Sequence, residues 1–125
     1  MDTRTKILRL TEAVALAKHS VLVMGQFNVL RAAHLRELEA AHQVADGRRT
    51  KLLVVVLTTA EEYLPLEARA ELVAALRMVD YVVTADRETA ERFAESLESY
   101  PVVRLEDADI RRARELQEHV QRRQT

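Results

Sequence analysis

The chain has 125 residues, no cysteine, and 19 basic against 20 acidic side chains, for a formal charge of -1. Its length and its 48% apolar content suit one domain, residues 1–125, around one core, and the balanced charge gives no bulk electrostatic reason to expect nucleic acid or a membrane as partner. Disulfides, thiolate metal sites and cysteine nucleophiles are excluded, and charged residues from Arg4 to Lys18 break any signal-peptide core, so a cytoplasmic protein is the expectation.

Residues 5–18 place Ile7, Leu8, Leu10, Val14 and Leu16 at mostly helical spacing, with Thr3 or Thr5 available as a cap. This predicts a leading helix over the first 19 residues. Residues 21–24 are an unbroken apolar run that suits a strand buried on both faces. Gly25 and Asn28 supply turn chemistry after it, and helical periodicity resumes at Ala32 through Leu35, Leu38, Ala41 and Ala45 until Asp46 and Gly47 end it. Residues 52–57 form the clearest buried strand, opened by Lys51 and closed by Thr58 and Thr59. Pro65 fits the first turn of a third helix that runs to Met78. A third strand follows over 79–83, Asp86 caps a helix through Leu97, and residues 101–105 read as a short fourth strand. A last helix begins at Asp107 or Asp109 and passes Ile110, Ala113, Leu116 and Val120, with residues 121–125 expected to fray.

Strands alternating with helices of this length specify an α/β fold, a parallel sheet of about four strands with helices on both faces. Ligands of such sheets sit beyond the carboxyl ends of the strands. The functional site is therefore expected between the end of the first strand at Gly25 and the start of the following helix, whose positive dipole end favours a bound anion.

The stretch Gly25-Gln-Phe27-Asn28-Val-Leu-Arg31-Ala-Ala33-His34 resembles the Gly-x-Phe-Asp…His-x-Gly-His signature of the cytidylyltransferase-like nucleotidyltransferases. Arg69 followed by Val79-Asp80-Tyr-Val-Val is similar to the helix-to-strand segment of the same family, and the leading helix is similar to the adenylyltransferase half of bifunctional heptose-phosphate enzymes. The resemblance covers roughly residues 5–85. It implies a Rossmann-like three-layer sandwich, ATP or CTP with Mg2+ as nucleotide if the site is active, a phosphorylated small molecule as acceptor, and a homodimer. It also implies attack of the acceptor phosphate on the α-phosphate with loss of pyrophosphate, helped by histidines at a helix start. Carried over by position, His34 and Arg31 stand as the catalytic pair, and Gly25, Phe27, Asn28 and Arg69 as nucleotide-binding residues.

The departures from the signature fall on the chemistry. Arg31 stands in place of the first histidine, Ala33 in place of glycine, and Asn28 in place of aspartate. Residues 58–64 hold no basic side chain, and the region before the last helix offers Asp107 and Asp109 where hydroxyls would meet a triphosphate. His34 is accordingly read either as a phosphate donor or as a helix-face histidine satisfied by a neighbour, and Arg31 either as an anion ligand or as a solvated turn residue. Arg69 is read either as a phosphate contact or as a solvent-exposed arginine, and Asp80 as a residue that fixes backbone geometry rather than a base. His19, His42 and His119 lack metal-ligand spacing. The leading expectation is a nucleotidyltransferase-fold pseudoenzyme that retains at most nucleotide or anion binding. The alternatives are an active cytidylyl- or adenylyltransferase on a sugar or alditol phosphate, and a non-catalytic regulatory or interaction subunit.

Overall fold

Strand β2 (Lys51–Leu57) is buried at every residue after Lys51, because it lies inside a sheet covered on both faces. The structure, a computed structural model, describes residues 2–28, 32–60, 64–96 and 102–105. The sheet has the order β3-β2-β1-β4 and is parallel throughout, with β1 at Ser20–Gly25, β3 at Tyr81–Ala85 and β4 at Val102–Arg104. The register pairs Val23 with Val54 and with Val103, and Val55 with Val83.

Alternation of side chains along the strands divides the core in two. Val21 and Val23 point to the face covered by α2 (Ala32–Gly47) and α3 (Leu66–Ala74), where Leu38, Ala41, Ala70 and Val73 meet Leu52, Val54 and Val56. Leu22 and Met24 point to the other face, where Ala13 and Ala17 of α1 (Leu10–Ala17) and Ala90 and Phe93 of α4 (Arg87–Glu95) cover Leu53 and Val55. The result is the three-layer, Rossmann-like sandwich expected from the alternating elements. The chain steps outward from β1 to β2 to β3 and then crosses back to place β4 on the far side of β1. The order of strand addition therefore reverses between β1 and β4, which is where open α/β sheets present ligand crevices.

Several boundaries differ from the sequence expectation, three of them for a visible reason. The leading helix starts at Leu10, not near residue 5: Thr3–Lys6 is a 3-10 turn capped by Asp2, and the segment after it runs extended. Ile7 bridges Val82, and the Leu8 amide donates to the Val82 carbonyl at 2.7 Å, so these apolar residues cover the open edge of β3 instead of joining a helix. Helix α3 ends at Ala74 and β3 begins at Tyr81, because Leu76 and Val79 turn the chain through bonds to Val73 and Leu76. Asp80 then latches the strand start: its amide donates to the Leu52 carbonyl at 3.1 Å, and its carboxylate accepts from the Leu52 amide at 2.9 Å. That is the geometric role read for Asp80 from the sequence. The last predicted helix lies outside the described residues.

Asp86 caps α4 as expected, accepting from the Thr89 amide at 2.7 Å, and that bond holds its carboxyl below the ordinary aspartate range. Across the sheet edge, Arg104 of β4 grips Glu91 of α4 through two bonds of 2.9 and 3.0 Å, which lowers the Glu91 carboxyl from its ordinary 4.5. Both folded-state values are depressed. Their contribution to stability is thus full above the unfolded-state values and is lost as pH falls through the folded ones. Stability is expected to fall off below about pH 4, and Glu91→Gln is expected to flatten that acid limb in pH-dependent urea titrations, modestly because the pair is partly exposed.

Candidate functional site

The site develops where β1 stops. Gly25 closes the strand, and the chain turns sharply at Phe27, which holds a left-handed backbone angle of φ 53°. That turn folds the Phe27 ring back over Gly25. A Cβ at Gly25 would lie 2.9 Å from Cε2 and 3.2 Å from Cζ of the ring, and 3.3 Å from the Leu105 Cβ. Glycine is required here because the protein's own ring occupies the space above it. Leu105 is held in place by its amide, which donates to the Met24 carbonyl at 2.7 Å and extends the β1–β4 pairing by one residue.

His34 is the third residue of α2, in the turn whose amides point towards the end of β1. It is only 4% exposed, with its ring 5.8 Å from that of Phe27 at a 48° tilt. The structure thus brings Gly25, Phe27 and His34 into one stack at the carboxyl end of the sheet. Asn28 follows Phe27 and is half-buried. Arg31 lies outside the described residues.

Arg69 is the largest fully buried side chain among the described residues. It stands in the second turn of α3, and its guanidinium reaches inward to three backbone carbonyls. Nη1 donates to the Gln26 carbonyl at 2.6 Å and to the Leu57 carbonyl at 2.8 Å, and Nε donates to the Leu64 carbonyl at 3.1 Å. One cation therefore ties the turn after β1, the end of β2 and the entry to α3. Carbonyls at strand ends lack ladder partners, and a rigid, always-charged fork is the side chain best suited to satisfy several of them at once. Sequence inspection could not find Gln26, Leu57 or Leu105 as parts of the site, since the first two act through backbone oxygen and the third through an ordinary core contact.

The family follows from this strand-turn-helix arrangement together with the sequence comparison. A cytidylyltransferase-like family model matches residues 22–124. The chain belongs to the cytidylyltransferase-like family. Among solved structures, this member is similar to a lipopolysaccharide core biosynthesis protein from Thermoplasma volcanium GSS1, with a TM-score of 0.52 and 16% identity over 68% of this chain and 93% of that one. At that identity the likeness is one of fold. No curated protein gives a significant match.

The helix that follows the turn differs from the others in its charge. The first turn of α2 carries no acidic residue, whereas α1, α3 and α4 carry Glu12, Glu67 and Glu88 in theirs. The positive end of α2 is thus left without a carboxylate from its own first turn, beside the end of β1. Among the described residues there is no group of three or more His, Asp or Glu side chains placed to hold a metal ion. No helix among the described residues is long and apolar enough to cross a membrane.

Proposed function

We propose that this chain is a nucleotidyltransferase-fold protein that binds the phosphates of a nucleotide at the start of α2 and does not transfer them. The observation that carries the reading is the inward commitment of the groups that the family resemblance assigns to phosphate. Arg69 holds three carbonyls of its own chain, and His34 is buried against Phe27. Phosphoryl chemistry of this class needs no covalent intermediate. It depends on positioned donors that meet charge as it develops, and donors turned into the fold cannot do so without rearrangement.

Binding is a lesser demand. The α2 amino end, free of acids in its first turn, attracts an anion whether or not a transition state is stabilised. His34 shapes that end through its contact with Phe27, and Gly25 lets the turn close.

Isothermal calorimetry with ATP and CTP, each with and without Mg2+, tests the binding half of the proposal. Saturable heat is expected with at least one nucleotide, weakened by His34→Ala, and silence at millimolar nucleotide would remove it. Pyrophosphate release across a panel of sugar and alditol phosphates tests the other half. No release is expected, and turnover abolished by His34→Ala would instead establish an active transferase.

A further inference from the structure

We propose that the amino-terminal edge of the sheet, opposite the candidate site, docks an acidic segment of a partner protein. Two turns meet there. One joins α1 to β1 and carries Lys18 and His19; the other joins α2 to β2 and carries Arg48, Arg49 and then Lys51. All five side chains are exposed. The two turns are neighbours, because Ser20 pairs with Lys51 and the Lys51 amide donates to the His19 carbonyl at 3.0 Å. None of the four permanent cations has a carboxylate partner among the described residues. The exposed acid nearest in these turns is Asp46, while the Asp80 carboxylate is engaged by the Leu52 amide. A chain of formal charge -1 thus carries a concentrated positive rim.

Helix ends explain part of this rim. Lys18 and Arg48 sit just past the carboxyl ends of α1 and α2, where cations complement the dipole. Arg49 lies at the same helix end, but there the charge is carried at a backbone cost. The Arg49 amide donates to the Asp46 carbonyl at 3.0 Å and the Thr50 amide to the Ala45 carbonyl at 2.8 Å, the paired bonds of a Schellman motif. Arg49 occupies the left-handed position of that motif, at φ 57°, where glycine is favoured. Two residues earlier stands Gly47, whose added Cβ would meet nothing within 4 Å and whose φ is not positive. Glycine is present where the backbone does not need it, and arginine stands where the backbone prefers glycine. The Arg49 side chain is therefore held outward beside Arg48 and Lys51 against local backbone preference, which points to use of the charge itself.

An acidic polypeptide fits this rim better than other polyanions. Neither turn carries an exposed Phe, Tyr or Trp, and the single imidazole of His19 gives no run of platforms for successive stacked bases. The nearest exposed apolar residues, Val14 and Val44, sit on helices that cover opposite faces of the sheet and cannot enter one membrane plane together.

Fluorescence anisotropy with a fluorescein-labelled octaglutamate peptide provides the test, using the full chain at low ionic strength. Binding is expected, to be weakened about tenfold by Arg48→Glu with Arg49→Glu and to be unchanged by Arg87→Glu with Arg92→Glu on α4. Arg49→Gly is expected to raise the melting temperature while weakening the peptide severalfold, a combination that a purely structural role for Arg49 would not give. Peptide binding indifferent to the Arg48 and Arg49 reversals would overturn the proposal. So would a single-stranded oligonucleotide or a phosphatidylserine vesicle that binds this rim more tightly than the peptide.

Discussion

Arg69→Ala is expected to destabilise the fold by about 3–5 kcal/mol, enough to leave a domain of ordinary stability partly unfolded at 37 °C. The substitution removes the donors to the Gln26, Leu57 and Leu64 carbonyls together and opens a cavity where a fully buried arginine stood. A buried acceptor left without its partner costs about 1–3 kcal/mol, and the cavity adds to that sum. Arg69→Lys is expected to recover part of the loss, because a single ammonium can reach one or two carbonyls but cannot reproduce a fork spread over three. Urea denaturation followed by circular dichroism measures both variants. A midpoint for Arg69→Ala within error of the parent would mean that these bonds contribute nothing net, and an Arg69→Lys variant as unstable as alanine would deny the ammonium any substitute role.

The second large effect is expected at the turn after β1. Gly25→Ala drives a methyl to 2.9 Å from the Phe27 ring and 3.3 Å from the Leu105 Cβ. The ring is 2% exposed and the Leu105 backbone is paired to Met24, so neither neighbour has free space to yield. Overpacking of this kind costs about 1–3 kcal/mol. Phe27→Ala alone is expected to cost about 3–5 kcal/mol through the cavity it leaves beside His34 and Leu38. Because the two substitutions act on the same space, the double variant should be more stable than the sum of the separate losses predicts, by about 0.5–3 kcal/mol. A double-mutant cycle that closes additively would show that the Gly25–Phe27 contact is not what makes glycine necessary.

Both effects act on the turn that follows β1 and leads to the proposed phosphate-binding start of α2. Gly25 packs against Phe27, Phe27 against His34 of α2, and Arg69 holds the Gln26 carbonyl in the turn between β1 and α2. Variants that loosen these contacts are expected to lose nucleotide affinity even where the fold survives, since an anion site made of backbone amides depends on their fixed direction.

The alternation of strands and helices was legible because both faces of the sheet are covered. Residues 21–24 and 52–57 must then be apolar without interruption, and an uninterrupted run is visible in one dimension. The Asp86 cap was legible for the same kind of reason, since the carboxylate and the Thr89 amide that it accepts from lie three residues apart. Where the reading missed, a distant partner decided the outcome. Ile7 and Leu8 have helical spacing with the residues after them, but Val82, on the open edge of β3, recruits them as extended chain. Val79 is apolar and buried like a strand residue, yet the Asp80 carboxylate takes the Leu52 amide and delays the ladder until Tyr81 pairs with Leu53.

The candidate site divides along the same line. The sequence by itself determined that a glycine turn and a histidine-bearing helix start follow the first buried strand, because those features are local and their residue types are specific. Only the tertiary structure decided what the polar groups there do. Arg69 meets a carbonyl 43 residues away and another 12 residues away. Gly25 is pressed by a ring that reaches it through a left-handed turn and by Leu105 on a strand that returns from the far side of the sheet. A guanidinium reads alike in sequence whether it faces a phosphate or a carbonyl, and its role is set by which oxygen the fold brings within reach.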